Sequence, residues 1–211
     1  IGSVPAAGSV PTINEINYNS SDDFDPEDWV EIYNPNEVDI DISEWVLKDN
    51  NDSNEFIFPS GTSIAGDDYL VIVRNIDDFT EFYPEINSYV GEFNFGLSSS
   101  ADAVRLFNSD LILQDEVYYE SSSPWPSLAN GDGYTLELID PSYDNSLPSS
   151  WSNINYHGSP DAINSATASI NEEDLYFTRV YPNPFIETLY ILLELEISEF
   201  VTIDIFDLKG S

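Results

Sequence analysis

The sequence predicts an all-β protein, a sandwich or barrel of short strands. Apolar and polar residues alternate with period two in several runs, the signature of strands with one covered face. Turn signals recur between those runs, at roughly the 8–12-residue spacing of sandwiches and barrels. The 12 Phe, 13 Tyr and 4 Trp bring aromatics to 14% of the chain, enough to fill a core and too many for a disordered polymer. A length of 211 residues allows one sizeable domain, with or without a small second unit.

Residues 1–11 are small and rich in Gly, Pro and Ser, and read as a linker. Thr12–Tyr18 opens the strand pattern. Val38, Ile40 and Ile42 alternate with Asp39 and Asp41, the period of a half-buried strand. Asn34-Pro35-Asn36, Pro59-Ser60-Gly61 and Ala65-Gly66-Asp67 are turns. Leu70–Val73 is continuously apolar, as in a central strand covered on both faces. In Ile76–Tyr83, Ile76, Phe79 and Phe82 or Tyr83 share one helical face and Pro84 follows, so one short helix is expected. Val104 and Leu106 alternate with Arg105 and Phe107. After the turn Asn130-Gly131-Asp132-Gly133, Tyr134, Leu136 and Leu138 alternate with Thr135, Glu137 and Ile139. Residues 165–174 lack hydrophobic periodicity and read as a second linker. Beyond them Leu175–Val180, then Leu189, Ile191 and Leu193, then Val201, Ile203 and Ile205 outline a second β unit, small for a stable domain.

Charge narrows the function. Forty acidic residues face five basic ones, Lys48, Arg74, Arg105, Arg179 and Lys209, for a formal charge of −35. Phosphate backbones need clustered cations, which excludes nucleic acid and argues against anionic membrane surfaces. Such a charge opposes its own compaction unless salt screens it. Either the acidic surface is a solubility device for salty water, or it collects divalent cations, calcium foremost. There is no Cys, hence no disulfide or thiolate chemistry. There is no Met, even at position 1, which leads to the expectation of a processed chain whose signal peptide is already gone. No apolar run reaches the ~18 residues of a membrane-spanning helix.

Two resemblances follow from the motifs. Ile13-Asn-Glu-Ile-Asn-Tyr-Asn, Asp28-Trp-Val-Glu-Ile-Tyr-Asn-Pro, Val38-Asp-Ile-Asp-Ile-Ser-Glu-Trp-Val-Leu-Lys-Asp and Phe95-Gly-Leu-Ser-Ser-Ser-Ala-Asp-Ala-Val-Arg-Leu-Phe occur in that order. Phe58-Pro-Ser-Gly, Asp115-Glu-Val-Tyr-Tyr, Trp125-Pro, Tyr134-Thr-Leu-Glu-Leu-Ile-Asp, Trp151 and Gly158-Ser-Pro complete the series. Residues 12–164 thereby resemble the lamin-tail family. The resemblance implies an immunoglobulin-like antiparallel β-sandwich and a non-catalytic module, of the kind found in nuclear lamins and bacterial secreted or cell-surface proteins. Asp161 and Ile163 depart from it, standing where the family commonly has Gly and Pro. Further on, Tyr181-Pro-Asn-Pro-Phe, Leu189-x-Ile-x-Leu and Val201-Thr-Ile-Asp-Ile-Phe-Asp-Leu-Lys-Gly resemble the C-terminal sorting domain of Por-type (type IX) secretion. That implies export across the outer membrane of a Gram-negative, Bacteroidetes-type bacterium through residues 175–211. The segment lacks that family's final strands and is expected to be a partial domain.

Candidate chemistry is sparse. Calcium takes 6–8 oxygen ligands, and two stretches offer them: Asp22, Asp23, Asp25, Glu27 and Asp28, and then Asp49, Asn51, Ser53 and Glu55. The second begins like an EF-hand loop, but Asn54 holds the Gly position and Ser60 the bidentate Glu position. Solvated acidic turns are the alternative for both. Trp125, between Pro124 and Pro126, is the tryptophan with the best chance of stacking on a sugar, with the core as its alternative; Trp29 and Trp45 lie in predicted strands and point to the core. His157 is the lone histidine and sits in a loop-like setting with no G-x-S-x-G nearby. One histidine without cysteine cannot form the usual catalytic zinc site. Glu15 and Glu31 lie in predicted strands beside aromatics, where a structural role, bonded to backbone or Tyr hydroxyls, is expected. The expected protein is a non-catalytic binding or structural module, secreted or at the outer cell surface, with a protein or glycan ligand. A calcium-dependent carbohydrate-binding or adhesion module is the alternative, and a hydrolase stands behind it.

Overall fold

The computed structural model describes residues 10–165 and the strands Leu175–Tyr181 and Tyr190–Leu195. Most of the first expected linker, residues 166–174 of the second, and the strand expected at Val201–Ile205 lie outside the described residues. In chain order the first unit contains β1 (Thr12–Asn17), β2 (Trp29–Tyr33), β3 (Ile40–Asp41), β4 (Val46–Lys48), β5 (Phe56–Ile57), β6 (Ser63–Ile64) and β7 (Tyr69–Val73). Helix α1 (Ile76–Phe82) follows, then β8 (Tyr89–Gly91), β9 (Ala101–Phe107), β10 (Leu113–Glu120), β11 (Leu136–Leu138) and β12 (Trp151–Ser152). One sheet has six strands in the order β12-β11-β1-β2-β7-β8, the other four in the order β10-β9-β4-β5, and β3 pairs with β6. Within the six-stranded sheet only β7 and β8 run parallel. The fold is an all-β sandwich, one of the two architectures that the period-two patterning predicts, and it is immunoglobulin-like, as the lamin-tail resemblance implies.

Alternation fills the space between the sheets. Ile16, Val30, Ile32, Leu70, Ile72, Leu136 and Leu138 of the larger sheet share a core with Leu47, Phe56, Val104, Leu106, Val117 and Tyr119 of the smaller. Each such side chain stabilises the fold by about 1.5–3 kcal/mol when fully buried. The other face of the larger sheet is covered as well. Trp29, Val71 and Val73 pack against Phe79 of α1, with Ile76, Tyr83, Ile86 and Tyr89 around them. Double coverage of β7 is why its sequence is apolar without alternation. Asn75 caps α1 by accepting from the Asp77 and Asp78 amides at 3.0 and 3.2 Å, and Pro84 stands just past its end.

Three strand expectations need correction. The run Val38–Ile42 yields only two paired residues, Ile40 and Asp41, and Val38 is 70% exposed. The stretch is a brief pairing with β6 at a sandwich corner, too short to bury its whole apolar set. Trp45 precedes β4 in a turn, and only part of its ring packs on the core. The alternation around β11 does not mark an exposed face, because Leu136, Glu137 and Leu138 are all buried. In the separate unit of residues 170–211, Leu175–Tyr181 (β13) and Tyr190–Leu195 (β14) are strands, as the sequence outlines, and pair antiparallel.

Candidate functional site

A β-bulge at Asn14 resets the register of β1 so that Glu15 faces Glu31 of β2. On its other side Glu15 faces Glu137 of β11. Cross-strand partners share a face, and the neighbours Ile16, Val30, Ile32, Leu136 and Leu138 point into the core. The three glutamates therefore form one row on the opposite face of the sheet. All three are fully buried. Like charges directly opposite one another destabilise a sheet, and burying them unpaired costs more.

The segment from Tyr156 to Ser165 covers the row and, with Thr135 and Asn14, supplies its donors. The Ser159 amide donates to Glu15 Oε1 at 3.0 Å, and Thr135 Oγ1 donates to the same oxygen at 2.5 Å. The Asp161 amide donates to Glu31 Oε2 at 2.6 Å, and Asn14 Nδ2 to Glu31 Oε1 at 2.8 Å. Ser159 Oγ donates to Glu137 Oε1 at 2.5 Å, and the Ser165 amide reaches the same oxygen at 3.2 Å. Asn164 is buried and ties the end of the segment to the carbonyls of Asn14 and Leu138 at 3.0 and 2.8 Å. Gly158 makes the turn at φ +74°, and a Cβ there would collide with Glu15 Oε1 and Thr135.

Desolvation raises the pKa of every carboxyl in the row. For Glu15 the charges of Glu31 and Glu137 add to it, and its pKa lies well above the ordinary 4.5. Burial pushes Glu31 up to about 8 against the pull of Asn14 and Asp161. Glu137 is raised by burial too, with Ser159, Ser165 and Asn155 favouring its ionised form. Ser159 Oγ is placed to donate to Glu137 Oε1 at 2.5 Å and to Glu15 Oε2 at 3.3 Å, and has one hydrogen to give. With that hydrogen on the nearer Glu137, a proton held at Glu15 Oε2 turns the longer contact into a donation to Ser159 Oγ. The row is a clasp whose three carboxyls are all buried. Its donors are backbone amides, Thr135, Asn14 and Ser159, and not the Tyr hydroxyls that sequence reasoning offered for Glu15 and Glu31.

The expected calcium ligands do not converge. Asp22, Asp23 and Asp25 are exposed, and Asp25 accepts from the Glu27 amide at 3.1 Å. Glu27 pairs with Arg74 at 2.5 Å. Asp28 is buried under the Leu97 amide, 2.7 Å away, and lies 3.8 Å from Arg74; burial lifts it to about 7 despite both partners. Asp49 is also buried and accepts from the Asn51 amide and Asn54 Nδ2, both at 2.7 Å. Asn51 accepts from the Ser53 amide, and Glu55 pairs with Lys48 at 3.1 Å. These oxygens are turned into tight turns and ion pairs. Among the described residues no three His, Asp or Glu side chains are placed to hold one ion.

Trp125 is only 6% exposed, with its ring 6.1 Å from that of Trp151 in the core. It presents no open face to a sugar, so the stacking expectation is corrected in favour of the core. His157 is no free loop residue either. Its ring stacks on Phe24 at 3.5 Å and lies against Tyr156, its carbonyl accepts from the Tyr83 hydroxyl, and burial lowers its pKa. Its Nε2 has no partner, whereas a triad needs that nitrogen on a serine. The cavity beside it, about 10 Å³, holds about one water. A more open cleft of about 410 Å³ is lined by Glu27, Arg74, Asn75, Glu92, Phe93 and Asn94, with its only cation already paired to Glu27.

Strand β10 ends the smaller sheet and, among the described residues, pairs only with β9. There Glu116, Tyr118 and Glu120 of β10 are exposed while Val117 and Tyr119 are buried. The hairpin leading into β10 exposes Leu111, Ile112 and Leu113 at 65, 58 and 46%. Sequence reasoning did not single out β10 as such an edge and gave no role to Glu137, Ser159 or Asn164. The alternation in Asp115–Glu120 was a legible signal for the edge; nothing local to Glu137 announces a covering segment.

No curated protein matches the sequence. The family model for the lamin tail domain matches residues 4–121, a span that ends one residue after β10, while β11 and the covering segment continue the same sandwich to Ser165. The match spans more than half of the chain, and the chain belongs to the lamin tail domain family.

Proposed function

We propose that this chain is a non-catalytic binding module of a protein displayed at the outer surface of a Gram-negative bacterium or released from it, with residues 175–211 addressing it to type IX secretion. The observation that supports a binding rather than a catalytic role is the fate of the reactive groups. The buried carboxyls face each other under a closed segment, and the lone imidazole is packed between aromatic rings. What faces solvent is a sheet edge, the surface from which sandwiches recognise extended partners. The surface charge suits a module that must stay soluble outside the cell. Export is supported by the motifs Tyr181-Pro-Asn-Pro-Phe and Val201-Thr-Ile-Asp-Ile-Phe-Asp-Leu-Lys-Gly.

The test is fractionation of a Bacteroidetes-type host expressing the chain behind a signal peptide, with and without a working type IX system. Surface or medium localisation that is lost in the secretion-deficient strain is expected. Periplasmic retention in both strains contradicts the export reading.

A further inference from the structure

We infer that the β10 edge is a docking site for a cationic extended peptide, which adds to the four-stranded sheet as a fifth strand. Strand β10 has eight residues and, among the described residues, pairs only with β9. Its other edge offers unpaired backbone donors and acceptors, which a partner chain can complete. Near its start that edge is occupied: Asp115 accepts from the Ile13 amide at 2.6 Å and from Asn145 at 2.8 Å. The Glu116 amide is taken as well, donating to Asp115 Oδ1 at 2.9 Å; among the described residues Val117–Glu120 carries no such cover.

Charge selects the occupant. The exposed residues of Glu116–Glu120 read acid, aromatic, acid: Glu116, Tyr118, Glu120. A second copy pairing antiparallel about Tyr118 would set Glu116 opposite Glu120 of the other molecule twice over, between two chains of charge −35. Like charges directly opposite are unfavourable, so self-pairing is opposed. A strand with Lys or Arg at alternate positions meets the same row as opposite charges, and a cation over the 51% exposed Tyr118 ring gains a cation–π contact. Tyr118 and Glu120 lie opposite Ala103 and Ala101 of β9. Exposed Leu111, Ile112 and Leu113 give an apolar end to the site. The chemistry recognised is an alternating basic–apolar strand.

This inference rests on the binding-module reading and deepens it. The experiment titrates the full chain with a labelled peptide of alternating lysine and valine. A second peptide carries N-methyl groups along one edge, which removes backbone pairing and keeps the charge. Glu116→Gln/Glu120→Gln removes the row, and Asp22→Asn/Asp23→Asn removes equal charge from an exposed loop. The expected result is roughly tenfold weaker binding for the methylated peptide and for the Glu116/Glu120 variant. Binding by the Asp22/Asp23 variant stays within about twofold of the parent, and hydrogen exchange slows at residues 117–120. Equal binding of the methylated peptide, equal losses in the two variants, no binding at all, or self-association of the parent through β10 would overturn it. Export in the fractionation test with failure here would discard the peptide site and leave the export reading standing.

Discussion

Replacing Glu15 by Gln should make this protein more stable at neutral pH, and the gain should grow with pH. Glu15 accepts at Oε1 from Thr135 and the Ser159 amide, and its Oε2 lies 3.3 Å from Ser159 Oγ, within reach of a donation from a protonated carboxyl. A glutamine with its carbonyl at Oε1 and its amide at Oε2 reproduces that pattern without needing a proton. Because burial and the neighbouring carboxyls raise the folded pKa of Glu15, the native state holds a proton that the unfolded chain releases above its ordinary value. Stability attached to this group is complete below that value, about 4.5, and is lost as pH rises towards the folded pKa. One retained proton costs about 1.4 kcal/mol per pH unit in that window. Urea unfolding followed by tryptophan fluorescence at pH 5, 6 and 7 measures it, with ionic strength fixed because the chain is so acidic. The advantage of Glu15→Gln over the parent should widen with pH, by about 1.4 kcal/mol per unit for as long as folded Glu15 keeps its proton. A variant that is less stable by a constant amount at every pH would refute the reasoning, for it would mean that the native glutamate is ionised.

Other predictions follow from the same clasp and its surroundings. Gly158→Ala sets a Cβ against Glu15 Oε1 at a positive φ and should cost about 2 kcal/mol or more in urea unfolding, whereas Ala162→Gly, on the exposed stretch nearby, should cost under about 1 kcal/mol. A fragment ending at residue 121, the end of the family match, loses the β11 partner of β1 and the cover of the glutamates, and should show no cooperative melting by circular dichroism, while residues 10–165 should melt cooperatively. Calcium chloride and sodium chloride at equal ionic strength should raise the melting temperature equally, by screening alone; a further rise of several degrees with calcium would establish a specific site.

The core was legible because alternation is a local signal. Leu136 and Leu138, Val104 and Leu106, and the unbroken Leu70–Val73 each declare their faces, and α1 declares itself through Ile76, Phe79 and Tyr83 ahead of Pro84. Lengths were less legible, since Val38–Ile42 alternates well yet only two of its residues pair. Glu15 and Glu31 stood out as acids in apolar strands, but their third member and their lid were hidden. Glu137 looks like any outward residue of a half-exposed strand, and its burial depends on a segment about twenty residues downstream. The loop acids are ambiguous for the complementary reason. Side chains such as Asp25, Asp49 and Asn51 suit metal ligation and equally suit accepting the amide two residues on, and composition alone does not separate the two. Trp125 was ambiguous in the same way, because flanking prolines mark a loop without saying which way its ring points.

Amide hydrogen exchange at Ser159, Asp161 and Ser165 bears most directly on the sandwich being closed over its glutamate row. Each of these N–H groups donates to a buried carboxyl, so they should exchange as slowly as the amides of β1 and β2, through global unfolding. Exchange at the rate of an open loop, with β1 and β2 still protected, would show that the segment does not seal the row and would contradict the account.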